Sequence, residues 1–273
     1  MNPDPVLAFV ADANHQYLAD KFQLSCFATA DEARGAGFQF ALTLASDGLK
    51  LEALAQNDLG PLEIDFLSSA LRYRQRRGGE SELLVKAIGI RPSLSPTVWD
   101  LTAGMGVDAW ILASLGYRVR AFERHPIVFA LLEDAWRRLG RQALDPTMTA
   151  AVERLRFEQR DSHSLAQSGD IERPDIVYLD PMFPAKQHHA KAKKAMQYLQ
   201  AIVGWEEDST SLLQVAKQWA EYRVVVKRAP KAPPLDDSPV TTAINGKNVR
   251  YDIYAIKSVN HYSNKKIAAL DSQ

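Results

Sequence analysis

From Thr97 onward, short apolar runs alternate with helix-length segments, and this alternation constrains the fold more than any other feature of the 273-residue chain. Thr97–Leu101, Tyr117–Glu123, Arg154–Asp161, Asp175–Leu179 and Arg223–Lys227 read as strands. Asp108–Leu115 reads as a helix stopped by Gly116, and a second helix starts at Pro126 and stops at Gly140. Apolar residues at helical spacing between Ala192 and Val203, and again between Leu212 and Ala220, predict two more. Parallel strands need a crossover between them, so repeated strand–helix units predict a parallel sheet covered by helices on both faces. Val240–Ile244, a turn at Asn245-Gly246 and Val249–Ile256 then read as a closing antiparallel hairpin.

Residues 1–90 lack that alternation and are expected to form a small α+β appendage ahead of a main domain spanning 91–273. Phe38–Leu44 alternates like a strand, Asp47-Gly48 is a hairpin turn signal, and Leu49–Leu54 alternates back. Pro61–Phe66 suggests a third strand, and Ser81–Ile88 a helix. Hydrophobic residues make up 46% of the chain and charged residues 24%, which excludes extended disorder. Lys and Arg number 33, as do Asp and Glu, so a histone-like polyanion coat is excluded and any nucleic-acid contact must come from local clusters. The longest apolar runs, Val6–Ala11 and Ile127–Leu132, are far short of a membrane span. The opening residues have no basic, apolar leader pattern, and Cys26 is the only cysteine, so no internal disulfide or Cys-rich zinc site is possible. A cytoplasmic location is expected.

The chemistry concentrates at the ends of the predicted strands. The loop from Asp100 through Thr102, Gly104, Gly106 and Val107 to Asp108 joins the first strand to a helix. Glycines there let backbone approach a ligand, and the helix start offers unpaired N–H groups. Glu123 ends the second strand, where a carboxylate can accept hydrogen bonds from both ribose hydroxyls, a feature shared by NAD and S-adenosylmethionine (SAM) sites. Asp161 ends the third strand, with Ser162, His163 and Ser164 beside it; polar residues at strand ends are also commonly just solvated. After the fourth strand comes Asp180-Pro181-Met182-Phe183-Pro184. This segment resembles the (Asp/Asn)-Pro-Pro-(Tyr/Phe) loop of methyltransferases that modify exocyclic or amide nitrogens. An exocyclic amine is a poor nucleophile because its lone pair is delocalised into the ring. A carboxylate accepting its N–H orients the lone pair, and an aromatic ring can stack on the base.

Taken together, Asp-x-Thr-Ala-Gly-Met-Gly-x-Asp-Ala at 100–109, Glu123-Arg124, Val-Tyr-Leu-Asp-Pro-Met-Phe-Pro at 177–184, Arg-Val-Val-Val-Lys-Arg at 223–228 and Tyr251-Asp252-Ile253-Tyr254 resemble the RsmJ-type 16S ribosomal RNA (guanine-N2)-methyltransferases. The resemblance covers roughly residues 60–257. It implies a Rossmann-like class I methyltransferase fold with a mostly parallel seven-stranded sheet, SAM as methyl donor with S-adenosylhomocysteine as product, and 16S rRNA or the small ribosomal subunit as partner. Carried onto this chain, it implies cofactor contacts at Val107 with Asp108, Glu123 with Arg124, His163 with Ser164, and Asp180. It assigns the catalytic motif to Asp180, Pro181 and Phe183. Three basic clusters suit an RNA substrate: Arg72, Arg74, Arg76 and Arg77; Lys186, Lys191, Lys193 and Lys194; and Lys227, Arg228 and Lys231, of which Lys227 is equally placed to reach the active site or to end a strand at the surface. His188 and His189 lack partners at metal-ligand spacing, so no metal is expected. Other readings stay open on the residues alone. They are an amino-methyltransferase acting on another RNA, DNA or a protein amide, an NAD(P)-binding oxidoreductase, and a non-catalytic RNA-binding assembly factor.

Overall fold

The computed structural model describes residues 7–11, 16–55, 60–69, 71–72, 78–167, 172–181, 194–204 and 208–262. In chain order the elements are β1 (Leu7–Val10), α1 (Gln16–Phe22), β2 (Cys26–Phe27), α2 (Ala30–Gly35), β3 (Phe40–Ala45), β4 (Gly48–Ala53) and α3 (Gly78–Ile88). There follow β5 (Thr97–Asp100), α4 (Val107–Leu115), β6 (Arg118–Glu123), α5 (Pro126–Leu139), α6 (Pro146–Arg154), β7 (Leu155–Gln159) and β8 (Ile176–Leu179). The chain continues through α7 (Lys194–Val203), α8 (Ser209–Trp219), β9 (Arg223–Arg228), β10 (Thr242–Asn245) and β11 (Arg250–Ala255). Among the described residues no helix is long and apolar enough to cross a membrane.

The chain divides into two compact units that interleave in sequence. One gathers Met1–Phe66, His125–Gln142 and Phe183–Trp205; the other gathers Leu67–Arg124, Ala143–Met182 and Glu206–Gln273. This grouping differs from a single cut near residue 90. It places α3 in the second unit and brings α5 and α7 into the first.

The first unit holds a four-stranded sheet in the order β2-β1-β3-β4. β1 runs parallel to β2 and β3, and β3 and β4 form an antiparallel hairpin closing at Ala45 and Gly48. Gly48 takes φ 126°, and a Cβ there would meet the Arg138 side chain at 2.5 Å, so this turn requires glycine. The expected third strand at 61–66 reduces to one bridge between Leu51 and Leu62. Thr29 caps α2 by accepting the Glu32 N–H, while Glu32 accepts the Ala28 N–H.

The second unit holds a seven-stranded sheet in the order β10-β11-β9-β8-β5-β6-β7. β7, β6, β5, β8 and β9 are mutually parallel, and β11 and β10 add the antiparallel pair. β8 is Ile-Val-Tyr-Leu and fully buried, as befits a central strand covered on both faces. One face of the sheet packs Trp99, Phe122, Val177, Leu179, Val224 and Val226 against Leu212, Leu213 and Ala216 of α8. After β5 the chain runs outward through β6 to β7, then returns to place β8 on the other side of β5. This reversal opens a crevice at the carboxyl ends of β5 and β8, the place where open α/β sheets bind ligands.

Candidate active site

β5 ends at Asp100, and the chain turns through residues 101–106 into α4. Gly104 at φ 52° and Gly106 at φ 73° both adopt left-handed backbone. For other L residues that conformation costs about 1–2 kcal/mol. A Cβ built on Gly104 meets nothing nearer than the Thr102 carbonyl oxygen, at 3.9 Å, so glycine keeps the loop backbone uncovered. Gly106 is the N-cap of α4 and brings no side chain to its first N–H groups. Those groups and the helix dipole suit an anionic ligand group.

Three carboxylates converge beside this loop. Asp100 is 2% exposed. It accepts the Thr102 N–H at 3.0 Å and faces the Thr102 hydroxyl at 3.3 Å. Burial, reinforced by Asp108 and Asp180, pushes its carboxyl up to about 8. Thr102 Oγ1 in turn accepts the Asp180 N–H at 2.7 Å, which ties the loop after β8 to the loop after β5. Lys227 reaches across from β9. Its Nζ donates to Asp108 Oδ2 at 2.6 Å and to Asp180 Oδ2 at 2.8 Å. Tyr178 donates its hydroxyl to the same Asp108 oxygen at 2.6 Å. Desolvation leaves the Asp180 carboxyl above its usual range; Asp108 adds to the rise, and Lys227 is the main group that opposes it. Burial opposes charge on Lys227, but the two carboxylates outweigh it and hold the ammonium well above the ordinary lysine range. Among the described residues nothing hydrogen-bonds Asp180 Oδ1, and the side chain is 40% exposed, so one oxygen is open to a substrate donor.

A second group lines the cleft from β6 and the segment after β7. Glu123 Oε2 accepts the Gly104 N–H at 2.9 Å. Arg124 pairs with Asp208 at 2.5 Å, and that guanidinium holds the Asp208 carboxyl below its usual range. His163 Nδ1 faces Asp161 Oδ1 at 3.1 Å, and Nε2 meets Ser211 Oγ at 2.9 Å. Leu101, Phe122 and Leu212 line the same cleft as Thr102, Glu123, Arg124, Asp161, Ser162 and His163.

The structure therefore gathers Asp100, Thr102, Gly104, Gly106, Asp108 and Asp180 around one loop, and Glu123, Arg124, Asp161 and His163 along the adjoining cleft. Val107 opens α4 and offers its backbone there. Ser162 is buried and donates to the Leu101 carbonyl at 2.9 Å, so its hydroxyl serves the fold. Ser164 likewise donates to the Asp161 carbonyl at 2.6 Å. Arg228 departs from expectation: it is 5% exposed and donates to the Pro233 carbonyl, so it cannot reach an RNA phosphate. Lys227 departs from the RNA-contact expectation and fits the alternative of an inward reach, because its ammonium is committed to two carboxylates. Arg72 is exposed. Phe183, Arg74, Arg76, Arg77, Lys186, Lys191 and Lys193 lie outside the described residues, as does the side chain of Lys194. Pro181 is buried. Sequence reasoning missed the roles of Tyr178, Asp208 and Ser211. No motif marks Asp208 or Ser211; Tyr178 sits inside the 177–184 motif, and a tyrosine facing inward from a buried strand needs a polar partner for its hydroxyl.

A family model described as "Putative SAM-dependent methyltransferase" matches residues 18–256. Ribosomal RNA small subunit methyltransferase J from Dechloromonas aromatica is 40% identical over 221 residues, 81% of this chain and 89% of that protein. The Pseudomonas aeruginosa (strain UCBPP-PA14) protein of the same name is also 40% identical, over 81% of this chain and 84% of its own. The chain belongs to this methyltransferase J family. Its fold agrees. The crystal structure of a SAM-dependent methyltransferase from Neisseria gonorrhoeae superposes with TM-score 0.67 at 32% identity, covering 92% of this chain and 96% of that one. The seven-stranded order is thus that of a class I SAM-dependent methyltransferase.

Proposed function

We propose that this family member binds SAM in the cleft between the glycine loop and Glu123, and methylates the exocyclic N2 of a guanosine in 16S rRNA. The observation that carries the reading is Asp180. It stands at the carboxyl end of β8 with one oxygen unbonded among the described residues, and is bonded through Thr102 to the glycine loop. The names of its 40% identical relatives support the choice of small-subunit rRNA.

The residues present fit SAM. The uncovered backbone at Gly104 and the free N-terminus of α4 suit the amino-acid end, Glu123 the ribose hydroxyls, and Asp161 with His163 the adenine side. Bound there, SAM supplies an electrophilic methyl group on a sulfonium. Asp180 Oδ1 accepts an N–H of the guanine amine, which aligns the nitrogen lone pair and offsets positive charge as it builds on N2. The same carboxylate is placed to take the proton that the methylated amine sheds. The Thr102 bond fixes the distance between this acceptor and the cofactor loop.

Mass mapping of rRNA from cells lacking this protein tests the reading. One N2-methylguanosine of 16S rRNA should be missing, and should return with the wild-type gene but not with Asp180→Ala. Unchanged 16S methylation would sink the assignment. With purified protein, Asp180→Ala should keep the fold and most RNA binding and lose at least about 100-fold in kcat, as for loss of a preorganised polar group.

A further inference from the structure

We infer that Lys227 is a positioning residue for methyl transfer, bridging Asp108 and Asp180 so that Asp180 stays ionised with Oδ1 turned to the substrate amine. The inference rests on the proposed role of Asp180, and deepens it by naming what holds that group ready.

The geometry leaves Lys227 little else to do. It stands near the end of β9, beside the strand that carries the Asp-Pro motif. It spends one N–H on the carboxylate that opens α4 and another on the candidate catalytic carboxylate. Both contacts are short, charge-assisted bonds. Gripping Oδ2 of Asp180 fixes the carboxylate plane, and Tyr178 locks the opposite anchor by donating to Asp108 Oδ2.

Charge tells the same story. Asp180 is influenced by Asp108 from α4 and by Lys227 and Arg228 from β9, and it acts in turn on Asp100 of β5. Tyr178 on β8, itself facing Tyr251 on β11, completes the surroundings. Clustered carboxylates disfavour one another's ionisation. Arg228 acts from a distance because its N–H groups go to the Pro233 carbonyl. Among the described residues Lys227 is the cation within hydrogen-bond reach of Asp180. Removing it raises the pH at which Asp180 loses its proton. The reaction needs the ionised form as acceptor, so the acid-side loss of activity moves to higher pH.

The test follows the carboxyl and the reaction in the full chain. Carbon-13 NMR of labelled aspartates, with Asp180→Asn identifying the resonance, should show the Asp180 titration rising by at least about one pH unit in Lys227→Met. The acid limb of kcat for 16S rRNA methylation should move the same way, lowering kcat about tenfold or more on that limb with KM for SAM nearly unchanged. Lys227→Arg keeps the charge and should recover most of the activity. Lys227→Gln, which keeps hydrogen bonding without charge, substitutes if the Met variant does not fold. An unmoved Asp180 titration overturns the inference, as does a kcat lowered equally at every pH. If the wild type fails to methylate 16S rRNA, or Asp180→Asn methylates normally, the functional reading fails instead; the titration still decides whether Lys227 governs Asp180.

Discussion

Asp100 is buried at the end of β5 with its carboxyl pushed up to about 8, so at neutral pH it is mainly protonated in the folded chain. In the unfolded chain it ionises near 4. The stability it permits is therefore full below about pH 4 and is lost as pH rises toward 8. Asp100→Asn keeps an oxygen for the Thr102 N–H and removes the titration. The variant should gain on the wild type as pH rises, by at least about 1 kcal/mol between pH 5 and 8, or roughly 2–4 °C in melting temperature. A gap of equal size at both pH values would show that Asp100 does not titrate in this window. Glu123 carries a second prediction. Because Oε2 already holds the Gly104 N–H, Glu123→Ala removes the proposed ribose acceptor together with a brace of the loop. Calorimetry should show SAM affinity weakened by about 1–3 kcal/mol, with Glu123→Gln in between; unchanged affinity in the Ala variant would take Glu123 out of the site. The residues that point to this site in the sequence, Asp100, Glu123 and Asp180, end strands beside local motifs. Lys227 does not, since its partners lie 119 and 47 positions away and only the strand order brings them together. A basic residue at a strand end has no local pattern that separates an inward ion pair from a surface charge, and Arg228 misleads for the same reason.

Elements with strong local signals are legible. β8 is apolar throughout because both its faces are covered, and α5 reads clearly from Pro126 at its start to Gly140 after its end. α6 was not legible. Its Asp145 cap and Pro146 start are genuine signals, but Pro146–Arg154 buries only Ala151 and shows little apolar pattern. β1 escaped notice as well, since its pairing is parallel to β2 and β3 and no hairpin turn announces it. The loop from β5 to α4 carries the prediction at this scale. Gly104→Ala meets no clash, so its cost comes from φ alone, about 1–2 kcal/mol of stability. The added methyl also covers backbone that SAM would approach. The expected result is a small drop in melting temperature together with a larger loss of SAM affinity. Equal, small losses in both would mean that the loop backbone is not a contact surface.

At the scale of the whole chain, the cut near residue 90 suggested by the onset of strand–helix alternation differs from the grouping by contacts. The first 66 residues carry all four strands of the smaller sheet, but the groups that finish it come from much later segments. Asp134 of α5 accepts the Leu49 N–H at 3.0 Å, and Arg138 donates to the Ile64 carbonyl at 2.8 Å. Trp136 packs edge-on against Phe66 at 5.6 Å. Tyr198 of α7 accepts the Ala53 N–H at 2.9 Å, donates to the Gly60 carbonyl at 3.2 Å, and is fully buried. A periodicity reading assigns α5 and α7 to the larger sheet because they alternate with its strands, and nothing local reveals that their contacts lie elsewhere. An isolated fragment of residues 1–90 should therefore fail to fold: it lacks the helix on β4 and leaves backbone groups without partners, at about 1–3 kcal/mol for each one buried. Its amide spectrum should be collapsed and its thermal transition non-cooperative. In the full chain, Tyr198→Phe should cost about 1–3 kcal/mol by orphaning the Ala53 N–H and the Gly60 carbonyl, with little change in SAM affinity. A dispersed spectrum and cooperative melt for the 1–90 fragment would show that the early segment is a self-sufficient module, and that the later helices only decorate it.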